Sequence, residues 1–497
     1  MNLDKNKTVV VIGAGPVGIS AAAHLISREL TPIVLEKGKS VGAAMSQWGH
    51  VKLFSPWKYI VDSQVRVLLQ KTDWQEPDKE GLPTGQDIVD QYLIPASLTP
   101  ELSKAILYEK EVIAVSKQGH AKSSSNGRND AEYTVHLKSP DGKVEIIQAA
   151  AVIDASGTWS NPNPIGLDGL LVPGENENQD AIVYGIPNAI GKDKADYAGN
   201  RVLVLGGGHS AINVALDLLK LQGSHPETKV IWGLRTNKLE KLLGGGINDE
   251  LPARGELGSA AKNAIDAGLL DLHAPFGVKR ITKVANGLFI DAINENGEIS
   301  VEVDKIIVTA GFRPDLNMLR ELRLELDNIV EAPQELAPLI DPNLHSCGSV
   351  PPHGFRELTH PDKNFFIVGM KAYGRAPTFL MLTGYEQVRS IAAELAGDHD
   401  AAKRVELVLP KTGVCSSKKQ VSGSGCCETG SVETPSACCS PSVPIPASRP
   451  DFDKEVSSCC GTVKPVERPK QDNSTSCCGT EPEANSKPAP LTPSCCG

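Results

Sequence analysis

Apolar residues fall along this chain in short, unbroken runs, and the runs come in sets. Residues 8–12 (TVVVI) form a β-branched run of the kind that a strand covered on both faces shows. An Ala-rich stretch at 17–28 reads as a helix and 32–36 (PIVLE) as a second strand, which completes a βαβ unit. The same sequence of elements starts again at RVLVL (201–205), with a helix over 209–221 and a return strand at 229–234, KVIWGL. Between the units, 112–116, 132–138 and 143–153 read as strands around a polar turn at 121–130. The run AAAVIDASG (149–157) reads as a buried strand ending in a tight turn, and VEVDKIIVTAG (301–311) repeats it. A strand at 364–369 and a helix over 378–396 follow. The pattern predicts an α/β fold: two Rossmann-like three-layer dinucleotide-binding domains in one chain.

After about residue 410 the pattern stops. The last 87 residues hold eleven prolines, nine basic and nine acidic side chains, and one aromatic, Phe452. Such a segment cannot bury enough apolar surface to offset its ordering entropy, so a disordered tail is expected over 411–497. The expected division is 1–165 and 306–410 for one domain, with 166–305 inserted as the other.

The turns after the two leading strands carry the chemistry. Gly13-Ala14-Gly15-Pro16-Val17-Gly18 fits G-x-G-x-x-G between a strand and a helix. Glycines there let the backbone approach a pyrophosphate, and the helix N-terminus supplies amides and a favourable dipole. Glu36, at the end of the next strand, is placed for a ribose hydroxyl. Gly206-Gly207-Gly208-His209-Ser210-Ala211 repeats the arrangement. Here the strand-end acid is missing; Arg235 follows, with Lys238 nearby. A cation there suits a 2′-phosphate and favours NADPH, although Arg235 is also readable as a solvated loop residue. FAD at the first turn and NADPH at the second is the expectation.

With 497 residues, 40% hydrophobic and 22% charged, the chain has the composition of a globular protein. The net charge of −10 argues against a sequence-independent grip on nucleic acid. Residues 8–27 are nearly uncharged and follow Lys5 and Lys7, as in a signal peptide or membrane segment. The glycine spacing inside them explains them better, so a cytoplasmic protein that does not enter the membrane is expected.

Of twelve cysteines only Cys347 lies within residues 1–414. A secreted disulfide scaffold would spread them through the folded part. Cys347, near His345, His353 and His360, reads either as a small buried hydrophobe or as a soft-ligand site at the flavin; no core ligand set has standard zinc spacing. In the tail, ten cysteines stand as adjacent pairs: Cys426 and Cys427, Cys438 and Cys439, Cys459 and Cys460, Cys477 and Cys478, Cys495 and Cys496. Adjacent Cα atoms lie about 3.8 Å apart, short of the roughly 4.4–6.8 Å of an ordinary disulfide. Such a pair is a poor disulfide and a good two-thiolate clamp for thiophilic centres such as trivalent arsenic or antimony, Hg(II), Cu(I) and Cd(II).

Together these motifs resemble the two-dinucleotide-binding flavoproteins, flavin-containing monooxygenases in particular, over about residues 8–400. Asp154-Ala155-Ser156-Gly157-Thr158-Trp159-Ser160-Asn161-Pro162 looks like that family's first crossing between domains. Thr309-Ala310-Gly311-Phe312-Arg313-Pro314 looks like its second, and Asn364–Gly369 like the late strand that closes over the flavin. The resemblance implies cofactor contacts at Lys37, Gln47, Trp48, Val112, Ala155, Gly157, Gly311, Gly369, Met370 and Thr378, beside those of the two glycine turns. It implies flavin chemistry with molecular oxygen and a soft nucleophile rather than a catalytic triad. Trp48 reads equally as a flavin neighbour or a packed tryptophan, and it and Cys347 are the catalytic candidates.

Three features depart from the pattern. The monooxygenase fingerprint before the second glycine turn is absent from 184–200, Met370 stands where disulfide-reductase relatives carry Asp, and no Cys-x-x-Cys occurs in 1–414. With its cysteine-pair tail, the chain resembles flavoproteins of bacterial arsenic-resistance gene clusters. That implies oxidation of trivalent arsenicals such as methylarsenite, with the tail raising substrate concentration near the flavin. The residues leave two other functions open: a flavoprotein S/N-oxygenase or metal reductase, and a soft-metal sequestering or delivery protein.

Overall fold

The computed structural model describes residues 8–237, 252–344, 350–376 and 379–407. Two parallel five-stranded sheets organise them. The first has the order 365–367, 151–154, 8–12, 31–35, 106–107. The second has the order 271–273, 229–233, 201–205, 305–308, 182–184. This is a two-domain α/β dinucleotide-binding fold. Val9, Val10 and Val11 are fully buried, as are Val202, Leu203 and Val204, which is why both leading strands read as unbroken apolar runs. Helix Pro16–Ser27 covers the first sheet with nine buried residues, and helix His209–Ser224 packs its Ala211, Ile212, Val214, Ala215 and Leu218 on the second.

Register brings the strand ends together. Ile12 lies opposite Leu35 and Asp154, and Asp154 opposite Ile367, so the carboxyl ends of four strands stand in one row. In the second sheet Leu205 lies opposite Gly233 and Val308 in the same way. Ligands of open α/β sheets bind outside such a row, where the strand order reverses.

Each sheet carries an antiparallel three-stranded meander, 111–117/133–138/144–149 on one and 277–284/287–294/297–303 on the other. The strands expected over 143–153 and 301–311 are therefore each two strands. The second run breaks at Asp304, whose carboxylate accepts from the Arg201 backbone N–H (2.8 Å) and Nε (3.1 Å), turning the chain from the meander into the parallel sheet. The late strand is shorter than expected, Phe365–Ile367, and the last long helix runs Met381–Leu395.

The polar turn at 121–130 is more than a solvated loop. Arg128, 1% exposed, donates from Nε and Nη2 to both oxygens of the buried Asp362 (2.7 Å each) and from Nη1 and Nη2 to the carbonyls of Ala121 and Glu321. Although burial pushes the Asp362 carboxyl up, Arg128 and the Arg323 amide hold it below its usual range. The turn is thereby bolted to the segment leading into strand Phe365–Ile367. Two crossing segments join the sheets and pair with each other: Asn163 N donates to Gly311 O, and Arg313 N to Asn161 O, both at 3.0 Å. Among the described residues, no helix is long and apolar enough to cross a membrane.

Candidate functional site

The first glycine turn is shaped by close approach. A methyl group on Gly18 would stand 1.9 Å from Gly13 O, and one on Gly13, whose φ is +98°, 2.9 Å from Ala155 O. A methyl on Gly15 would meet nothing within 4 Å, so this residue faces open space at the head of the helix. Gly15 is the helix N-cap, Pro16 occupies the first turn, and no side chain caps the amides there. Those amides and the dipole are what a pyrophosphate needs. Glu36, 8% exposed, accepts from Ala14 N (2.8 Å) on one oxygen and from Gly38 N (2.7 Å) on the other. It holds the turn against the strand end and keeps further lone pairs for hydroxyls. The residues fit the diphosphate and ribose of FAD.

The second turn uses the same geometry with other partners. A methyl on Gly206 would lie 2.3 Å from Thr309 Oγ1, while one on Gly208 would meet nothing within 4 Å. Trp232, fully buried, donates its indole N–H to Gly206 O (2.9 Å). Gly208 caps the helix without a side-chain bond, and His209 and Ser210 open it, half-buried. A pocket outside these strand ends is lined by Ile165, Gly206, Arg235, Phe276, Val278 and Ala310. The exposed Arg235 at its rim can meet a phosphate, so this turn fits a phosphorylated dinucleotide.

Aromatic rings line the approach between the crossings. Trp48 lies 6.4 Å from Trp159, and Trp159 lies 4.8 Å from Phe312, centroid to centroid. Trp159 Nε1 donates to Gln47 Oε1 (2.8 Å), and the Phe54 ring meets His209 at 5.6 Å. Gln47, Trp48 and the two crossing segments are thus brought together.

Of the other predicted positions, Gly157 has φ +69° and open space around it, and Gly311 is exposed at φ +84°. Lys37 is exposed, Met370 half-buried in the turn Gly369–Tyr373, and Val112 sits in a meander strand opposite Leu137. Cys347, Thr378, Lys238 and all ten paired tail cysteines lie outside the described residues. Among the described residues, no three His, Cys, Asp or Glu side chains are grouped to hold a metal ion.

Sequence reading missed what Lys371 pairs with. The Lys371 side chain, 1% exposed, pairs through Nζ with the fully buried Asp154 at 2.7 Å and donates to Ser156 Oγ at 3.1 Å. An ion pair therefore lies beneath the first turn, at the row of strand ends. The cue was an acid closing an otherwise apolar strand, AVID, which needs a buried cation. His353 and Gln387 were also missed as a pair: Gln387 Oε1 accepts from Gly369 N, and its Nε2 lies 2.8 Å from His353 Nε2.

Residues 10–346 match the model of the pyridine nucleotide-disulphide oxidoreductases. The chain belongs to this family. It is an oxidoreductase whose cofactors are FAD and NADPH. It is 27% identical over 224 residues to a ferredoxin–NADP reductase of Thermus thermophilus, a match covering 44% of this chain and 57% of that relative, under two thirds of its length. It is 25% identical over 214 residues to human flavin-containing monooxygenase 3, covering 43% of this chain and 38% of that one. Among solved structures, bacillithiol disulfide reductase Bdr (YpdA) of Bacillus cereus shares the fold: TM-score 0.57, 20% identity, 79% of this chain and 99% of that one.

Proposed function

We propose that this oxidoreductase is a flavin monooxygenase acting on soft, thiophilic substrates, trivalent arsenicals such as methylarsenite and arsenite among them. The observation that supports this most is the cysteine distribution. No cysteine precedes Cys347, so the described residues hold no dithiol pair beside either glycine turn, whereas five adjacent pairs stand between 426 and 496. A protein that hands electrons to a disulfide needs the first arrangement; one that gathers a thiophilic substrate in a reducing cytoplasm is served by the second.

In this reading 1–165 and 306–410 form the FAD domain and 166–305 the NADPH domain. Gly13, Gly15, Pro16 and Gly18 hold the FAD diphosphate and Glu36 its ribose. Gly206, Gly208, His209, Ser210 and Ala211 shape the NADPH turn, and Arg235 pairs with the 2′-phosphate. Trp48, Trp159 and Phe312 exclude water from the space between the cofactors. Bound FAD supplies two-electron exchange with NADPH and reactivity with oxygen. The net reaction balances with one oxygen atom on arsenic, the other in water, and the electron pair from NADPH.

A second reading, an NADPH-dependent reductase, is favoured by the similarity to a ferredoxin–NADP reductase. One experiment separates the two: NADPH oxidation by the FAD-loaded protein with and without methylarsenite, following oxygen and arsenic speciation together. Arsenical-stimulated oxygen uptake with pentavalent product is the expected result. NADPH consumption without oxygen transfer to arsenic would refute the monooxygenase reading.

A further inference from the structure

Behind the late strand lies a chain of three buried groups outside both glycine turns. Gly369, at φ +68°, follows strand Phe365–Ile367 and leans on the first helix: a methyl there would lie 3.3 Å from Val17 Cγ2. Its N–H donates to Gln387 Oε1 at 2.8 Å, and Gln387, on helix Met381–Leu395, is fully buried. Gln387 Nε2 lies 2.8 Å from His353 Nε2, and His353 Nδ1 lies 3.1 Å from Pro351 O.

Donor and acceptor counting then leaves one protonation state. Gly369 N can only donate, so the Gln387 oxygen faces it and the amide NH₂ faces His353. His353 Nε2 must therefore accept, its proton sits on Nδ1, and Nδ1 donates to Pro351 O. The ring is neutral. Burial at 2% exposure lowers the His353 pKa, and that outweighs the Pro351 carbonyl, Glu357 and Glu386, which raise it. Glu386 is itself paired with Arg389 at 2.7 Å, Glu357 accepts from Gly354 N, and the Tyr373 ring lies 5.8 Å away.

A proton added at Nε2 would set N–H against N–H. Gln387 could satisfy the imidazolium only by turning its oxygen away from Gly369, stranding that buried amide. Gly369 leans on the helix that opens at the first glycine turn, and two residues later Lys371 pairs with Asp154 at the strand end beneath that turn, so the disturbance is passed to both.

We propose that His353 is a positioning residue that makes the grip on FAD proton-sensitive: neutral, it holds Gln387 and the Gly369 amide in the flavin-binding arrangement, and a proton on Nε2 releases them. This holds whatever accepts the electrons. The test is the FAD dissociation constant of the full chain, by flavin fluorescence, against pH, for the wild type and His353→Gln, which can still accept from Gln387 but does not titrate. The wild type is expected to bind about tenfold more weakly across a one-proton transition centred below pH 6.5, and His353→Gln to show no such transition. The same transition in His353→Gln would overturn the proposal. So would a wild-type His353 titration, followed by nitrogen-15 NMR, with the same midpoint in the FAD-free and the FAD-bound chain, since a tenfold loss of affinity on protonation requires a downward shift of about one pH unit on binding; this arm decides the matter even where the variant does not fold.

Discussion

The two glycine turns are built on one plan and stiffened by different chemistry. In each, the first glycine lies against the residue that follows the neighbouring parallel strand, Ala155 for Gly13 and Thr309 for Gly206. In each, the glycine at the third position, Gly15 in the first and Gly208 in the second, faces open space. The first turn is then tied by a carboxylate, Glu36, and undercut by the Lys371–Asp154 ion pair. The second is tied by the Trp232 indole, and the residue matching Asp154 is the apolar Val308. The sixth position differs as well: Gly18 in the first, a buried Ala211 in the second. Backbone contacts set the shape of both cradles, and the side chains around them are what differ.

The sharpest way to break this comparison is Gly18→Ala, which gives the first turn the residue the second already carries. Its methyl would lie 1.9 Å from Gly13 O, a backbone atom that cannot swing aside. The expected result is no retained FAD, read from the flavin spectrum of the purified protein; normal FAD content would show that the first turn is laxer than its packing.

Next comes Lys371→Met, which leaves Asp154 buried and unpaired. A loss of about 3–5 kcal/mol in urea unfolding is expected, and adding Asp154→Leu should recover part of it. The ion pair is otherwise weak evidence for stability, so the single and double variants must be compared.

A third test uses acid. Burial holds the His360 pKa down to about 4, from an ordinary value of 6.5. Between those values the unfolded chain binds a proton that the native imidazole refuses, so stability falls as pH drops from 6.5 towards 4 and levels off below. The expected loss is on the order of 3 kcal/mol, and His360→Gln should flatten that part of the curve. The smallest effect belongs to Ala211→Gly: about 1 kcal/mol from helix propensity, with NADPH binding kept.

Both βαβ units and both glycine turns were legible because their signals are local: a buried run, a turn needing glycine, a helix start. What stayed hidden depends on residues far apart in sequence. Lys371 and Asp154 are 217 positions apart, and Arg128 and Asp362 are 234 apart. The strand break at Asp304 is set by Arg201, which no pattern around 301–311 reveals. The Gln387–His353 pair was invisible for the same reason, since the sequence sets His353 beside Cys347 and leaves Gln387 outside any motif. The aromatic wall was half legible: Trp48 was singled out alone, and its neighbours Trp159 and Phe312 come from the two crossing segments.

The central claim is that the first turn holds FAD while the second, through Arg235, selects NADPH. The most direct test is anaerobic mixing of the FAD-loaded full chain with NADPH or NADH, following bleaching of the flavin band, for the wild type and Arg235→Ala. The account predicts faster bleaching by NADPH in the wild type. In the variant, that preference should collapse at least about tenfold with FAD content unchanged. Equal rates with the two nucleotides in the wild type, or an unaltered preference in Arg235→Ala, would contradict it.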